Sequence, residues 1–372
     1  HPRISTVGVR RLRRSLRSGL FRPSGDFGVL SGVDVVIICV PSLLTREGQP
    51  DLTNINAAAE TVAQCLRRGQ LVVLESTVYP GATRGILLPR LSSARLKVGE
   101  DFFLAFAPER IDPGNRRHTV RNTQRVVGGV TRDCSELAAS LYAQICPRVV
   151  TVSSPEVAEM AKLLENTFRF VNIGLANEMM IICDRLGLDV HEVIEAAATK
   201  PFGFLPFYPG PGAGGNCIPV APRYLAWKAE QVAVRSRLID AAAEVNDGMA
   251  SYTVERISAM LKAHGNTIEG SRILILGVTY KRNVAEMRGS PVPGVMDLLR
   301  SRGADIAYSD PYVSGLQLAS GTLRSMELTE KCLRQSDCAV IMVDHDHFDY
   351  ERVKRSCPLV LDMRGVYRRG QC

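Results

Sequence analysis

The run DVVIICV, residues 34–40, decides the fold of this chain. It is short, apolar after its first residue and rich in Val and Ile, as a strand buried on both faces of a parallel sheet must be. The same pattern recurs downstream. Helical signals over residues 55–67 lead to the strand LVVLEST, which ends at Thr77. A helix near residues 82–91 leads to the strand FFLAFAP, residues 102–108. The strand RVVGGV from Arg125, a helix near residues 135–144 and a closing strand around Val149 complete the series. Strands alternating with helices predict a doubly wound α/β domain, which binds ligands at the carboxyl ends of its strands. Thr77 and Glu109 fall at two such ends. A dinucleotide domain should open with a strand, a glycine-rich turn, a helix and a second strand ending in an acid, and nothing before Asp34 reads that way. With His1 rather than Met at its start, the chain is expected to be a fragment lacking the first β-α-β unit of that domain.

Ser153-Ser154-Pro155-Glu156 is a helix start, with Ser as cap and Pro and Glu in the first turn. The helix should run to Gly187. Lys162 and Asn166, four apart, share one of its faces amid apolar neighbours. A second long helix is expected over residues 236–262, with Gly265 and Gly270 marking a boundary behind it. Residues 271–372 restart the α/β pattern with RILILGV, a helix over 291–302 closed by Gly303, then ADIAYSD, CAVIMVD and LVLDMR. The expected architecture is two doubly wound Rossmann-like domains joined by a helical middle domain, divided 1–152, 153–265 and 266–372. Asp344-His345-Asp346-His347 follows a strand without helical i,i+4 pairing, so it reads as a solvated loop, and no metal is expected.

The 372 residues are 45% hydrophobic and 23% charged, the composition of an ordinary globular protein. No apolar run reaches the length of a membrane span, so none is expected to cross one. Ten cysteines lie scattered without metal-ligand spacing, which fits a reducing, cytoplasmic setting. The net charge of +8 suits an anionic partner. Because the basic residues are dispersed and aromatics few, a phosphorylated small molecule is favoured over nucleic acid. The one dense basic patch, Arg10, Arg11, Arg13, Arg14 and Arg17, reads as an exposed helix face rather than a transit peptide.

Residues 200–224, KPFGFLPFYPGPGAGGNCIPVAPRY, hold five glycines and six prolines around Cys217. Together they make a loop of fixed but unusual path, able to present a thiol as a nucleophile. Gly210, Gly212 and Gly215 match G-x-G-x-x-G. Pro209 and Pro211 interrupt the match and no strand precedes it, so it is no cofactor fingerprint. This loop resembles the active-site loop of the UDP-glucose/GDP-mannose dehydrogenase family, in the form closest to its UDP-N-acetylglucosamine 6-dehydrogenase branch. The similarity extends from Asp34 to Arg364. Asn216 stands where the family has His, and Ala221 where it has Asp.

The resemblance implies an NAD-dependent oxidation of a primary alcohol to a carboxylate in two hydride transfers with a thioester pause. It assigns Cys217 as nucleophile, Lys162 and Asn166 as stabilisers of the alkoxide and oxyanion, Glu109 as base and Thr77 as the holder of water. It places NAD against Val40, Pro41, Ser42, Thr77 and Arg288. The UDP-sugar falls to Glu109, Arg110, Lys162, Asn166, Phe207, Tyr208, Gly214, Gly215 and Lys281. In GVTYKRNVAEMRGSP, Glu286 and Gly289 replace the Asp and Glu of the family signature. The resemblance further implies a homodimer or higher oligomer, paired through Leu238, Ile239, Ala242 and Val245 of the second long helix, and a role in polysaccharide biosynthesis. A catalytically impaired fragment that still binds nucleotide sugars, a UDP-glucose or UDP-ManNAc enzyme, and a single-step hydroxyacid dehydrogenase are the alternatives.

Overall fold

The structure, a computed structural model, describes residues 8–92, 96–112, 114–115, 117–215 and 217–368. It divides into two compact units, His1–Thr167 with Val220–Ser236 and Phe168–Pro219 with Arg237–Cys372. In chain order the first stretch contains α1 (Val9–Arg17), β1 (Val35–Ile38), β2 (Leu43–Leu44), β3 (Pro50–Asp51), α2 (Thr53–Cys65) and β4 (Leu71–Leu74). There follow α3 (Leu88–Leu91, entered through a π turn), β5 (Phe103–Phe106), β6 (Arg125–Gly129), α4 (Arg132–Ala143) and β7 (Val149–Thr151). Next come α5 (Pro155–Leu186), α6 (Val190–Ala198), α7 (Val220–Glu230) and α8 (Arg237–Ala263). The last stretch holds β8 (Arg272–Leu276), α9 (Val292–Ser301), β9 (Asp305–Ser309), β10 (Gly315–Leu318) and β11 (Gly321–Arg324). It ends with α10 (Glu330–Gln335), β12 (Cys338–Ile341), α11 (Tyr350–Ser356) and β13 (Val360–Asp362).

The first unit is built on a sheet of order β1-β4-β5-β6-β7. Its decisive strands are short and dry: all four residues of β4 are buried, packed between helices on both faces. The sheet is parallel except at one place, where β6 runs antiparallel to β5. The described residues between those strands form no crossover helix, and without one a returning strand can pair in the opposite sense. β1 occupies an edge, with Ile37 exposed. Among the described residues before it stand α1, whose five arginines lie exposed as expected, and a 3-10 turn over Phe27–Gly32.

The second unit has a four-stranded, wholly parallel sheet of order β13-β12-β8-β9. Its core runs from Ile273 and Ile275 through Met296 and Leu299 of α9 to Val254, Ile257 and Leu261 of α8. Helix ends obey local chemistry. Gly187 turns at φ +69° and Leu188 N–H closes back onto Cys183 O at 2.9 Å, a Schellman stop for α5.

Two expectations need amending here. The stripe on α8 is open only in part: Leu238 is exposed, but Ile239 and Ala242 are buried within their unit, where a Cβ added at Gly174 of α5 would lie 3.1 Å from Ala242 Cβ. The Asp344–His347 run is not a solvated loop. Asp344 and His345 are buried, because the segment turns inward beneath the loop that follows β8, and only its second half reaches solvent.

Candidate active site

In the first unit, Lys162 and Asn166 lie one turn apart on α5, and both are buried. Lys162 does not snorkel. Its Nζ donates to the main-chain oxygen of Glu109 at 2.6 Å, tying α5 to the segment after β5. Asn166 Nδ2 is a buried donor with no partner among the described residues, an arrangement native structures keep where something else is to be bound. Glu109 is half-buried, and burial pushes its carboxyl up. The Ile111 N–H at 2.5 Å and the charges of Lys162 and Arg125 pull it back, without cancelling the rise. Arg110 does not pair with Glu109; it bridges to Glu165 at 2.7 Å and to Gln124 O at 2.9 Å.

The strand ends carry a second group. Val40 N–H donates to Ser76 Oγ at 2.8 Å and Ser42 Oγ to Thr77 O at 2.5 Å, locking the turns after β1 and β4 together with Pro41 between them. Thr77 is buried and caps no helix, since the next helical turn begins at Thr83. Val40, Pro41, Ser42 and Thr77 thus stand just past the carboxyl ends of β1 and β4, the side of a parallel sheet on which ligands bind. They would line an NAD site. The glycine-rich turn that cradles a pyrophosphate is not found among the described residues before β1, so the fit is partial.

In the second unit the glycine–proline loop is held from several sides. Gly210 N–H donates to Asn177 Oδ1 at 2.9 Å, and Arg364 donates to Pro209 O at 3.2 Å. Gly215 N–H donates to Gly289 O at 3.0 Å. Gly289 has φ +71°, and a Cβ there would lie 2.5 Å from Gly215 O, so the family's Glu cannot stand at this position without moving the loop. Phe207 packs edge-on to Phe168, Tyr208 stacks on His191, and Gly214 and Gly215 lie against Tyr280. Cys217 is exposed; Asn216 lies outside the described residues. Lys281 lines a cavity of about 250 Å³ with Arg282, Arg364, Thr279, Pro211 and Gly212 at the strand ends of the second sheet. Arg288 is held by Glu286 at 2.8 Å, so Glu286, in place of the family's Asp, still gives Arg288 a carboxylate partner.

The sequence-derived candidates therefore gather in two groups. Thr77, Glu109, Arg110, Lys162, Asn166 and residues 40–42 belong to one unit; Cys217, Phe207, Tyr208, Gly214, Gly215, Lys281 and Arg288 belong to the other. Sequence reasoning passed over Glu159. Fully buried on α5, it accepts from Gly81 N–H at 2.6 Å and from Thr83 N–H and Oγ at 2.8 and 2.6 Å. Its spacing from Lys162 and Asn166, three and seven residues, was the available signal. A buried cluster of Glu75, Arg125 and Tyr142 was also missed: Tyr142 Oη donates to Glu75 at 2.5 Å and Arg125 pairs with the same carboxylate. Desolvation, with Glu75 beside it, pushes the thiol of the exposed Cys39 up to about 11.

Comparison with known proteins gives the family. Sequence models of the UDP-glucose/GDP-mannose dehydrogenase family match in three places: the NAD binding domain over residues 9–146, the central domain over 156–248 and the UDP binding domain over 274–369. A UDP-N-acetyl-D-glucosamine 6-dehydrogenase of Pseudomonas aeruginosa is 40% identical over 288 residues, 77% of this chain and 68% of that one. The Salmonella typhi enzyme of the same name is 37% identical, covering 84% of this chain and 73% of its own. Among solved structures, a UDP-D-ManNAc dehydrogenase from Pyrococcus horikoshii superposes with a TM-score of 0.86 at 31% identity, covering 97% of this chain and 86% of that one. NAD is accordingly the cofactor. Among the described residues no helix is long and apolar enough to cross a membrane. Matched by all three of its domains, this chain belongs to the UDP-glucose/GDP-mannose dehydrogenase family and is an NAD-dependent enzyme of that family.

Proposed function

We propose that the chain oxidises the C6 hydroxyl of a UDP-N-acetylhexosamine, UDP-N-acetylglucosamine foremost, to the uronate through a thioester on Cys217. The observation that carries this reading is the pair of buried donors on α5, Lys162 Nζ and Asn166 Nδ2, the latter without a partner among the described residues. Two such donors in a dry site suit a substrate oxygen that gains negative charge, first as alkoxide and then as oxyanion. When bound, NAD supplies the hydride acceptor for each two-electron step. Glu109, kept half-buried, serves as base for the hydrolytic water, with Thr77 holding that water. Cys217 keeps the carbon covalently attached until hydrolysis releases the carboxylate. Lys281 and its neighbours take the diphosphate, and residues 1–152, 153–265 and 266–372 form the three domains. The product would feed polysaccharide biosynthesis in the cytoplasm.

The test is stoichiometric. Incubation with UDP-N-acetylglucosamine should yield two NADH per sugar, and UDP-glucose and UDP-N-acetylmannosamine should be poorer substrates. One NADH per sugar would end the thioester reading and favour a single-step hydroxyacid dehydrogenase. A second reading, an impaired enzyme, is favoured by Ala221: its methyl group is wholly buried in a cluster with Leu163 and Tyr224, where the family places a carboxylate. On that reading little NADH forms although the UDP-sugar still binds.

A further inference from the structure

The run Asp344-His345-Asp346 has no part in the chemistry described so far, yet each of its residues grips the same loop, Thr279 to Asn283. Asp344 accepts from Arg282 at 3.3 Å and also from Arg364 at 3.3 Å. Asp346 pairs with Arg282, accepts from Asn283 Nδ2 at 2.6 Å, and donates its own N–H to Asn283 Oδ1 at 3.0 Å. Between them His345 is wholly buried. Its Nδ1 receives the Asn283 N–H at 3.0 Å, so the ring proton must sit on Nε2. From there it faces Asp310 Oδ2 and Thr279 Oγ1, both at 3.2 Å. Thr279 Oγ1 spends its own proton on Lys281 O at 3.0 Å, which leaves its lone pair for the imidazole.

The ring thus holds the far end of the five-residue loop, Asn283, through Nδ1 alone, whereas its single Nε2 proton is shared between Asp310, outside the loop, and Thr279, which is also tied to Lys281 O. The loop needs holding. Asn283 adopts φ +57°, a conformation uncommon outside glycine, and the segment includes two cations of like charge side by side. Lys281 and Arg282 line the cavity of the second unit because the loop takes this path.

We propose that His345 is a positioning residue, clamping the Thr279–Asn283 loop in the shape that presents Lys281 and Arg282 to the diphosphate of the nucleotide sugar. This rests on the reading that the cavity takes that diphosphate. Preorganised cations bind without first losing side-chain and loop freedom, so loosening the clamp weakens binding without removing any charge.

The experiment titrates the full chain with UDP by calorimetry and follows thermal unfolding in parallel. Two variants divide the ring's functions. His345→Asn keeps an acceptor where Nδ1 was and loses the donor shared by Asp310 and Thr279; His345→Gln keeps a group at Nε2 and loses the acceptor for Asn283 N–H. Each forfeits one buried hydrogen bond, so their unfolding midpoints should fall alike. The dissociation constant for UDP should rise about tenfold in His345→Gln, the effect of one backbone donor left unmet, and about twofold or less in His345→Asn. Equal effects of the two variants on UDP binding, or none for His345→Gln, would overturn the clamp. Should His345→Gln fail to fold, the exposed Asp346→Ala loosens the same loop from outside and should weaken UDP binding about threefold; unchanged binding would again overturn it. UDP binding by the wild-type chain that Lys281→Ala does not weaken would instead overturn the site reading beneath the inference.

Discussion

Glu109 stands where burial and its neighbours pull the carboxyl in opposite directions, and burial wins. A base must be ionised to work, so raising its pKa moves the loss of rate to higher pH. The acidic limb of the kcat profile should therefore lie above the ordinary glutamate range. Lys162→Ala removes one of the charges that oppose burial, so the limb of its residual activity should move higher still; an unshifted limb would separate Glu109 from the rate. Ala221 gives a second prediction at this scale. If the family's Asp helps to hold water, its absence should slow thioester hydrolysis by ~100- to 10,000-fold, leaving an adduct on Cys217 visible by mass spectrometry. Ala221→Asp should restore turnover. It also places a carboxylate among Leu163, Tyr224 and their neighbours, so stability should fall by about 1–3 kcal/mol. Turnover that is normal without the substitution and unchanged by it would refute this account of position 221.

α5 joins several functions in one element. Its buried face carries Glu159, Lys162 and Asn166 at helical spacing, and Leu163 beside them packs against Ala221 and Tyr224. Glu159 is the structural member of the set. Glu159→Ala would strand three donors of the Gly81–Thr83 turn, the two N–H groups and the Thr83 hydroxyl. Buried donors left unmet cost about 1–3 kcal/mol each, and partial relaxation of the turn should hold the total near ~3 kcal/mol, read by urea denaturation. A loss below about 1 kcal/mol would mean that the turn finds other partners. The opposite face of α5 is apolar and open. Val157, Met160, Leu164, Phe168, Leu175, Ile182 and Leu186 recur at helical spacing, and all are exposed.

For the whole molecule, we propose that a second copy of the chain covers this stripe on α5, which offers more exposed apolar side chains than α8, where Leu238 is exposed but Ile239 and Ala242 are buried. Light scattering should report a dimer, and Leu164→Lys with Leu175→Lys should give a folded monomer; a wild-type monomer at micromolar concentration would count against it. NAD binding is the other prediction at this scale. With β1 at a sheet edge and no glycine-rich turn described before it, the polypeptide of residues 1–372 should bind NAD more weakly than micromolar by calorimetry. Micromolar affinity would show that other residues supply the pyrophosphate contacts.

The strands around residues 34–40 and 271–276, the start of α5 and the stops at Gly187 and Gly303 were legible in the sequence, because they depend on periodicity and on local backbone chemistry. So were Lys162 and Asn166 as one face, since i,i+4 spacing is a property of the helix alone. The tertiary structure decided the rest. Whether Ile239 is open or covered, whether β6 runs with β5 or against it, and whether Asp344 and His345 meet solvent or a loop all depend on what lies opposite in space. A run such as Asp344-His345-Asp346 looks solvated on its own. Its first two residues are buried here because Arg282, Asn283, Thr279 and Asp310, brought in from distant parts of the chain, supply the hydrogen bonds that burial would otherwise cost.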